Sequence, residues 1–595
     1  MPNSTSTPFN PTQLVQQATQ ALQTALSKPA EQAADQLRGL QPLLQAFAQA
    51  AQSLAANPHE STQRSFHYYQ QNLLLGANIL ESMLGQNPSS PPTNVIEPEK
   101  EDKRFNHPSW SQGYANLLKQ SYLLASRYLL STAQSAKGLS PEDQAKVEFY
   151  TQQFADALSP ANFLLTNPEA QQAALESKGE SLLNGFKNFV TDVQSGRISL
   201  TDESAFKVGH NIGVTPGHVV FRNHLIELIQ YAPTTKQVHQ KPLLICPPWI
   251  NRYYILDLKP ENSLVKFLVN QGYQVFMVSW KNPTPEYRNI GFENYITDGL
   301  YAAVDATLSI TGEKSLNAVG YCIGGTMLGA ALAIMQAKND TRIATATFLT
   351  TLMDFANAGE LKLFTDEAQL TALEKQMQRD GILSGRSMAT TFSMLRANDL
   401  IWNFVVNNYL LGKTPMPFDL LYWNGDNTNM PCAMHSWYLR QLYLENNLIK
   451  PNKLTLLGTP VNLQSISIPI YMLTGVTDHI TPWQACYSAL SQMASNNKRL
   501  ALTKAGHVAG VVSPPTPEGK PVKRSYWVAE VPAGGKAPTA EKWLEKAPQQ
   551  PDSWWTDYAL WLKPHSGKEV EAPKQQGNKA YPALCPAPGT YVLEH

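Results

Sequence analysis

The spacing of hydrophobic residues changes near residue 200. Before that point, apolar residues recur every three or four positions, which predicts amphipathic helices. After it, short apolar runs such as 242–246 and 274–280 alternate with helical segments. Alternation of this kind is typical of a mainly parallel sheet covered by helices on both faces. The pattern predicts a helical N-terminal domain over residues 1–200 and an α/β domain over 201–595.

Individual elements follow from the same pattern and from the turn residues between them. In the first domain the predicted helices lie at 10–85, 114–135 and 141–158, and the composition of 87–102 predicts a linker. In the second domain the predicted strands lie at 219–221, 225–231, 242–246, 274–280, 343–349, 468–474 and 499–503, with one more strand directly before Cys322. Helices are predicted at 263–271, 300–311 and 326–337.

Two stretches of the second domain depart from this alternation. Between about 357 and 452 no strand pattern is present, and many aromatic residues are interleaved with loops. An insertion of this length between core strands predicts a cap, or lid, over an active site. After residue 520, tryptophans are scattered among prolines, which predicts irregular structure packed on the core.

The strongest candidate for chemistry is the stretch Gly320-Tyr321-Cys322-Ile323-Gly324, which lies between a predicted strand and a predicted helix. Its spacing is that of the Gly-x-Ser-x-Gly nucleophile elbow of α/β hydrolases, with Cys in the Ser position. The glycines allow the strand and the helix to approach each other closely. At a helix N-terminus, backbone N–H groups and the helix dipole favour a thiolate and later an oxyanion.

Asp478 and His507 follow Cys322 in the order nucleophile, acid, histidine that α/β hydrolases use. Each of the three follows a predicted strand, and the carboxyl ends of parallel strands open onto one crevice. Other roles stay open for each residue: Cys322 as a buried packing residue, Asp478 as a helix N-cap before Thr481, and His507 as a solvated loop residue. His479 either faces the pocket or simply follows Asp478.

A cysteine nucleophile suits a thioester substrate, because the attacking and leaving sulfurs have similar basicity. Cys322 would take the acyl group, with His507 first as base and then as acid. The oxyanion would lie against the N–H of Ile323 and an N–H of the turn that contains Trp249 and Ile250. Asp478 would orient the imidazole or help to activate the second nucleophile.

Composition narrows the range of partners and locations. Lys+Arg and Asp+Glu both number 47, so no net charge attracts nucleic acid, and the 16% charged fraction favours association with itself or with a neutral surface. Five cysteines without a Cys-x-x-Cys pair predict neither disulfides nor a metal site. The sequence has no signal peptide pattern and no apolar run that could span a bilayer, which predicts a cytoplasmic protein.

Several motifs closely resemble those of the class I poly(3-hydroxyalkanoate) synthases, over a region from about residue 158 to 561. They are Leu-Ser-Pro-Ala-Asn-Phe at 158–163, Thr-Asp-Glu-Ser-Ala-Phe at 201–206, Pro-Pro-Trp-Ile-Asn-Arg-Tyr-Tyr-Ile-Leu-Asp-Leu at 247–258, Gly-Tyr-Cys-Ile-Gly-Gly at 320–325, Asn-Asp-Leu-Ile-Trp-Asn at 398–403, Asp-Leu-Leu-Tyr-Trp-Asn at 419–424 and Gly-His-Val-Ala-Gly at 506–510. Trp249 departs from the commonest pattern, in which Cys or Phe is frequent.

The resemblance implies an α/β-hydrolase fold with an inserted cap and a helical N-terminal domain. It also implies polymerisation of (R)-3-hydroxyacyl-CoA into polyester with release of CoA, with Cys322 carrying the chain, His507 as base and Asp478 activating the incoming hydroxyl. Arg396 matches a position associated with the CoA moiety, for which a surface ion pair is the alternative. A homodimer, attachment to cytoplasmic storage granules, contact with granule-associated proteins and the absence of any cofactor beyond the CoA of the substrate are also implied.

Two other functions remain open at this point. The same three residues would serve a Cys-dependent acyl-CoA thioesterase or a polyester depolymerase, in which water captures the acyl group. A non-catalytic protein that coats granules through its N-terminal helices would fit the neutral composition, but it leaves the ordered Cys, Asp and His residues unexplained.

Overall fold

The chain forms two compact units. The computed structural model describes residues 41–83, 94–111, 113–533 and 537–594. The first unit comprises Met1–Asp202 and Thr390–Pro417, and the second comprises Glu203–Ala389 and Phe418–His595. The middle of the predicted cap therefore belongs to the same unit as the N-terminal helices. The predicted helical stretch 10–40 and part of the predicted linker lie outside the described residues.

The first unit is helical in its described part. Its helices are α1 (Gln41–Ala56), α2 (Pro58–Met83), α3 (Gly113–Gln134), α4 (Pro141–Ala157), α5 (Pro168–Glu176) and α6 (Glu180–Ser195), followed later in the chain by the π-helical turns Asn398–Trp402 and Val405–Leu410. Local sequence sets these boundaries: α4 begins after Ser140, whose hydroxyl accepts from the N–H of Asp143, and Pro141 occupies its first position.

The segment before α3 is anchored by a buried charge cluster. Arg104 donates to Asp102 and to Asp156 on α4, at 2.9 and 3.0 Å. Its guanidinium also donates to the hydroxyl of Tyr122 on α3. A buried guanidinium needs several acceptors to offset its lost hydration, so this cluster fixes the approach of residues 102–111 to the helices.

An eleven-stranded sheet forms the centre of the described part of the second unit. Its strands are β1 (Gly217–Arg222), β2 (Ile226–Tyr231), β3 (Leu243–Cys246), β4 (Val275–Trp280), β5 (Leu316–Tyr321), β6 (Ile343–Leu349), β7 (Ile470–Gly475), β8 (Lys498–Thr503), β9 (Ser525–Glu530), β10 (Gln549–Pro551) and β11 (Cys585–Pro586). The spatial order is β10-β9-β8-β7-β6-β5-β3-β4-β2-β1-β11.

Strands β4, β3, β5, β6, β7 and β8 are parallel, and the strands that flank them are antiparallel. The strands β3, β4, β5 and β7 are buried along their length, in agreement with their mainly apolar sequences. The prediction of a mainly parallel sheet is confirmed. The carboxyl ends of the parallel strands lie at one edge of the sheet. At this edge Cys322 follows β5, and the segments that follow β7 and β8 begin there as well.

Helices and short turns connect and cover these strands. They are α7 (Leu264–Asn270), α8 (Ala302–Thr311, continuing the π-helical Tyr295–Tyr301), α9 (Ile323–Ala337), α10 (Glu367–Asp380), α11 (Gly385–Leu395), α12 (Asp419–Gly425), α13 (Cys432–Tyr438), α14 (Trp483–Gln492), α15 (Ala540–Lys546) and α16 (Trp554–Leu562). Two-residue and three-residue strand pairs lie at 237–239 with 569–571, 382–383 with 430–431, and 455–456 with 459–460.

The prediction of an irregular C-terminal tail was wrong. The tail adds β9 and β10 to the sheet and contributes α15 and α16. Trp554 and Trp555 are fully buried, and their indole N–H groups donate to the carbonyls of Gly510 and Val511. A proline ends or closely follows each short element here. The apolar indole rings nevertheless bury enough area to hold these short elements against the core.

No helix within the described residues is long and apolar enough to cross a membrane.

Candidate active site

Cys322 occupies the sharp turn between β5 and α9. Its backbone has φ 53° and ψ −124°, a conformation that L residues rarely adopt. Its N–H donates to the carbonyl of Leu349 on β6, and its own carbonyl accepts from the N–H groups of Gly325 and Thr326. The surrounding sheet and helix therefore hold the strained residue in place, as a nucleophile elbow requires.

The glycines around Cys322 leave no room for a side chain. A Cβ on Gly320 would lie 2.4 Å from the Cα of Gly325. A Cβ on Gly324 would lie 2.4 Å from the carbonyl oxygen of Cys246 and 2.7 Å from that of Pro247. The start of α9 thus lies directly against the end of β3, so the turn after β3 is beside the nucleophile.

We predict that Gly324→Ala destabilises the protein by about 1–3 kcal/mol, because the added methyl group would overlap backbone atoms that a side-chain rotation cannot move. Thermal unfolding should show a lower Tm. Gly291→Ala is the matched control, since its nearest contact would be a side-chain oxygen at 3.8 Å. Equal Tm values for the two variants would contradict the close packing of α9 on β3.

Asp478 and His507 are brought to the same place from the ends of β7 and β8. His507 Nδ1 lies 2.8 Å from Asp478 Oδ2, and both side chains are buried. The Cys322 thiol lies close enough to the imidazole to raise its pKa. Because Nδ1 faces the carboxylate, Nε2 is the ring nitrogen left for the thiol. The structure therefore places the three predicted residues in the relay Cys, His, Asp, while their catalytic roles stay a prediction.

The environment of His507 favours its charged form. Burial alone lowers the pKa of the imidazole, but the negative charge of Asp478, the neighbouring Cys322 and hydrogen bonds to both outweigh burial and raise that pKa from 6.5 to about 10. For Asp478, burial raises the pKa, and the opposing charge of His507 with its hydrogen bonds brings the net pKa below its ordinary value. An imidazole with a raised pKa is a strong base toward a thiol.

Thr481 is a site residue that the sequence interpretation did not assign. Its hydroxyl donates to Asp478 Oδ2 at 2.6 Å and lies 3.3 Å from His507 Nδ1. Asp478 Oδ1 accepts from the N–H groups of Ile480 and Thr481. The carboxylate thus orders its own loop as well as the imidazole. The Asp-x-x-Thr spacing was a usable signal, but it was interpreted only as a helix N-cap, and α14 begins later, at Trp483.

Three buried tyrosines lie near the thiol or the imidazole. The ring of Tyr321 stacks on that of His507 with centroids 5.8 Å apart. Tyr438 and Tyr443, from the predicted cap region, contact each other with centroids 5.5 Å apart. Burial and the proximity of Cys322 raise the pKa of both cap tyrosines, so both remain neutral phenols. From the sequence, these tyrosines could only be recognised as part of a region rich in aromatic residues. No local sequence pattern indicates which of them lie near Cys322.

The predicted oxyanion donors lie beside the elbow. Ile323 is the first residue of α9, so its N–H has no acceptor within the helix. The turn that contains Trp249 and Ile250 follows β3 and Pro247. The carbonyl of Pro247 lies so close to Gly324 that a Cβ there would overlap it, so the turn lies beside the start of α9. The Trp249 ring is buried against Trp280 and Tyr295, and its indole N–H has no hydrogen-bond partner within the described residues.

The other two predicted binding residues lie in different surroundings. His479 directly follows Asp478 and is half-buried, and its carbonyl accepts from the N–H of Glu360. Arg396 belongs to the first unit and is exposed. Their binding roles remain predictions.

Comparison with known proteins adds the family. Residues 101–268 match the model for the N-terminus of poly-beta-hydroxybutyrate polymerase, and residues 241–514 match the alpha/beta hydrolase fold. A poly(3-hydroxyalkanoate) polymerase of Methylorubrum extorquens is 43% identical over 91% of this chain and 88% of its own length. This chain belongs to the poly(3-hydroxyalkanoate) polymerase family. It is an enzyme of the acyltransferase type with an α/β-hydrolase fold.

Further relatives agree with this assignment. A poly(3-hydroxyalkanoate) polymerase subunit of Cupriavidus necator is 43% identical over 82% of this chain and 83% of its own length. Among solved structures, a monoacylglycerol lipase of Paleococcus ferrophilus matches with a TM-score of 0.29 and 12% identity, covering 47% of this chain and 90% of the lipase.

Proposed function

We propose that this polymerase joins (R)-3-hydroxyacyl units from CoA thioesters, such as 3-hydroxybutyryl-CoA, through a covalent thioester on Cys322. The observation that carries the proposal is the contact of the Cys322 thiol with His507, itself bound to Asp478, at a strained elbow. The names of the relatives support polyester as the product. CoA enters as part of the substrate and leaves as product, and the proposal requires no other cofactor.

In the first half-reaction, His507 takes the proton of the Cys322 thiol, and the sulfur attacks the thioester carbonyl. The negative oxygen of the tetrahedral intermediate accepts hydrogen bonds from the N–H of Ile323 and from an N–H of the 248–250 turn. When the bond to the CoA sulfur breaks, the imidazolium returns its proton to that sulfur. The acyl group is then held on Cys322 as a thioester, and free CoA has been released.

In the second half-reaction, the 3-hydroxyl of another hydroxyacyl unit attacks the Cys322 thioester. His507 accepts the hydroxyl proton while an ester bond forms and the bond to sulfur breaks. The imidazolium then returns this proton to the departing sulfur, which restores the thiol. Asp478 holds the imidazole in the orientation that this exchange needs and stabilises its charged form. Asp478 also contributes to activating the incoming hydroxyl.

Selection of an alcohol over water separates a polymerase from a thioesterase. Tyr438 and Tyr443 are buried near enough to Cys322 for its charge to raise the pKa of both phenols, which stay neutral. Apolar cover of this kind excludes water from an acyl intermediate. This cover favours capture of the acyl group by a hydroxyacyl chain over hydrolysis.

The remaining parts of the proposal concern binding and location. Arg396 and His479 contribute to binding of the CoA substrate, and Trp249 shapes the pocket wall. The enzyme acts as a homodimer on the surface of cytoplasmic polyester granules, together with granule-associated proteins. The resemblance to the class I enzymes supports the role of Arg396, the homodimer and the location on granules.

Purified protein given 3-hydroxybutyryl-CoA should release CoA and form insoluble polyester. Free thiol is followed by a colorimetric assay, and the insoluble product is quantified after methanolysis. CoA release that continues while soluble 3-hydroxybutyrate is the sole product would establish a thioesterase instead. A set of monomers with longer side chains, assayed in the same way, gives the chain-length preference.

A further inference from the structure

The turn beside Cys322 is hydrogen-bonded to a later segment of the chain, 423–428. Thr428 donates from its hydroxyl to the carbonyl of Trp249 and from its N–H to that of Ile250. The indole N–H of Trp423 donates to the carbonyl of Arg252 at 2.7 Å. Because these carbonyls are engaged by that segment, the direction of the peptide N–H groups in the turn depends on where the segment lies.

A buried ion pair ties the turn and the segment together. Arg252 directly follows the turn, its side chain is 1% exposed, and its Nε lies 3.1 Å from Asp426 Oδ1. The other carboxylate oxygen of Asp426 accepts from the hydroxyl of Tyr254 at 2.8 Å. A guanidinium that is buried this completely needs several hydrogen-bond acceptors in fixed geometry.

The remaining guanidinium donors are used by the end of the chain. Arg252 Nη1 donates to the carbonyl of Tyr591 at 3.2 Å, and Nη2 donates to the carbonyl of Glu594. This terminal segment is itself anchored, since the buried carboxylate of Glu227 accepts from the N–H groups of Thr590 and Tyr591. The Arg252 side chain therefore joins three separated stretches at one point behind the turn.

We propose that Arg252, held by Asp426 and by the carbonyls of Tyr591 and Glu594, is a positioning residue that sets the oxyanion-binding turn beside Cys322. The inference rests on the proposed function, because it assigns the turn an oxyanion. Arg252 acts through the backbone and touches no substrate. Displacement of the turn by a fraction of an ångström weakens its N–H donation to the developing oxyanion while leaving Cys322 and His507 in place.

The structure offers a matched control for this ion pair. Asp557 accepts from Arg499 and from the hydroxyl of Tyr471 at 3.0 Å, as Asp426 accepts from Arg252 and Tyr254. Asp557 lies on α16 and pairs with β8, away from the 248–251 turn. Asp426→Asn and Asp557→Asn therefore remove the same charge from similar settings, and only the first touches the turn.

The test measures two reactions of the same thiol. Release of CoA from 3-hydroxybutyryl-CoA passes through an oxyanion, whereas alkylation of Cys322 by iodoacetamide, followed by mass spectrometry of its peptide, does not. For Asp426→Asn we expect kcat to fall about 10- to 100-fold, with KM and the alkylation rate each within about twofold of wild type. Asp557→Asn should retain kcat within about twofold. Arg252→Lys keeps the positive charge but loses the planar, forked set of guanidinium N–H donors. It should retain a higher kcat than Arg252→Ala.

Three results would overturn the inference: wild-type kcat in Asp426→Asn, an equal loss of kcat in Asp557→Asn, or a matching fall in the alkylation rate, which would place the defect at the thiol. If Asp426→Asn does not fold, Asp426→Glu retains the charge, and the same split between kcat and alkylation is expected of it. Failure of the proposed function is detected separately, because CoA release would then persist in Cys322→Ala.

Discussion

Cys322→Ala should abolish both CoA release and polymer formation, with kcat lowered by about 10⁴-fold or more. The acyl group has no other acceptor in the proposed reaction, since the sulfur that takes it stands alone at the elbow between β5 and α9. Cys322→Ser should also lose both activities. A serine hydroxyl is a much weaker acid than a thiol, so His507 cannot generate an equivalent nucleophile for a thioester. Thiol release and insoluble product are measured together.

The control for this prediction is a second half-buried cysteine. Cys432 lies at the start of α13, and no role in the reaction is assigned to it. Cys432→Ala should retain CoA release within about twofold. Retention of CoA release in Cys322→Ala would remove Cys322 from its proposed role, provided that circular dichroism shows native folding.

His507→Gln should lower kcat by about 10³- to 10⁴-fold, because the glutamine amide keeps some hydrogen-bonding capacity but cannot carry a proton. The same change should slow alkylation of Cys322 by iodoacetamide, since the imidazole generates the thiolate. This double loss differs from the result expected for Asp426→Asn. His565→Gln, a change to another half-buried histidine, serves as the control and should leave kcat unchanged.

The raised pKa of His507 also sets the sign of a stability effect. The imidazolium is favoured in the folded protein by Asp478, and the pKa is raised from 6.5 to about 10. Its contribution to stability is therefore complete below about pH 6.5 and is lost as the pH rises toward 10. The difference in unfolding free energy between wild type and His507→Gln should shrink over that range. A constant difference from pH 6 to 10, or full CoA release by the variant, would contradict the proposed pairing.

Much of the fold follows from patterns that are local in sequence. The mainly apolar runs that became β3, β4 and β6 are typical of buried strands, and the helices between them favour a parallel arrangement. The tail was mispredicted because its short strands and helices, rich in proline, are held by indoles packed against distant residues, and such packing leaves no local period. Residues 10–40 lie outside the described part of the chain.

Like the fold, the candidate site could be predicted from the sequence only in part. Cys322, Asp478 and His507 could be selected because each follows a strand and because their order matches a known arrangement. The strained backbone at Cys322 is also indicated locally, by the glycines around it. Thr481 was within reach of the same reasoning, since its spacing from Asp478 was visible but was assigned to a helix cap.

The sequence by itself determined the strand pattern, the elbow and the choice of the three candidate site residues, because these depend on residue type and short-range spacing. The tertiary structure decided which cap tyrosines lie near Cys322 and that Arg252 bonds to Asp426 and to the segment 591–594. Those contacts join residues more than 100 positions apart. Whether a buried charge has a hydrogen-bonding partner from a distant part of the chain depends on three-dimensional packing. No local sequence pattern indicates such packing.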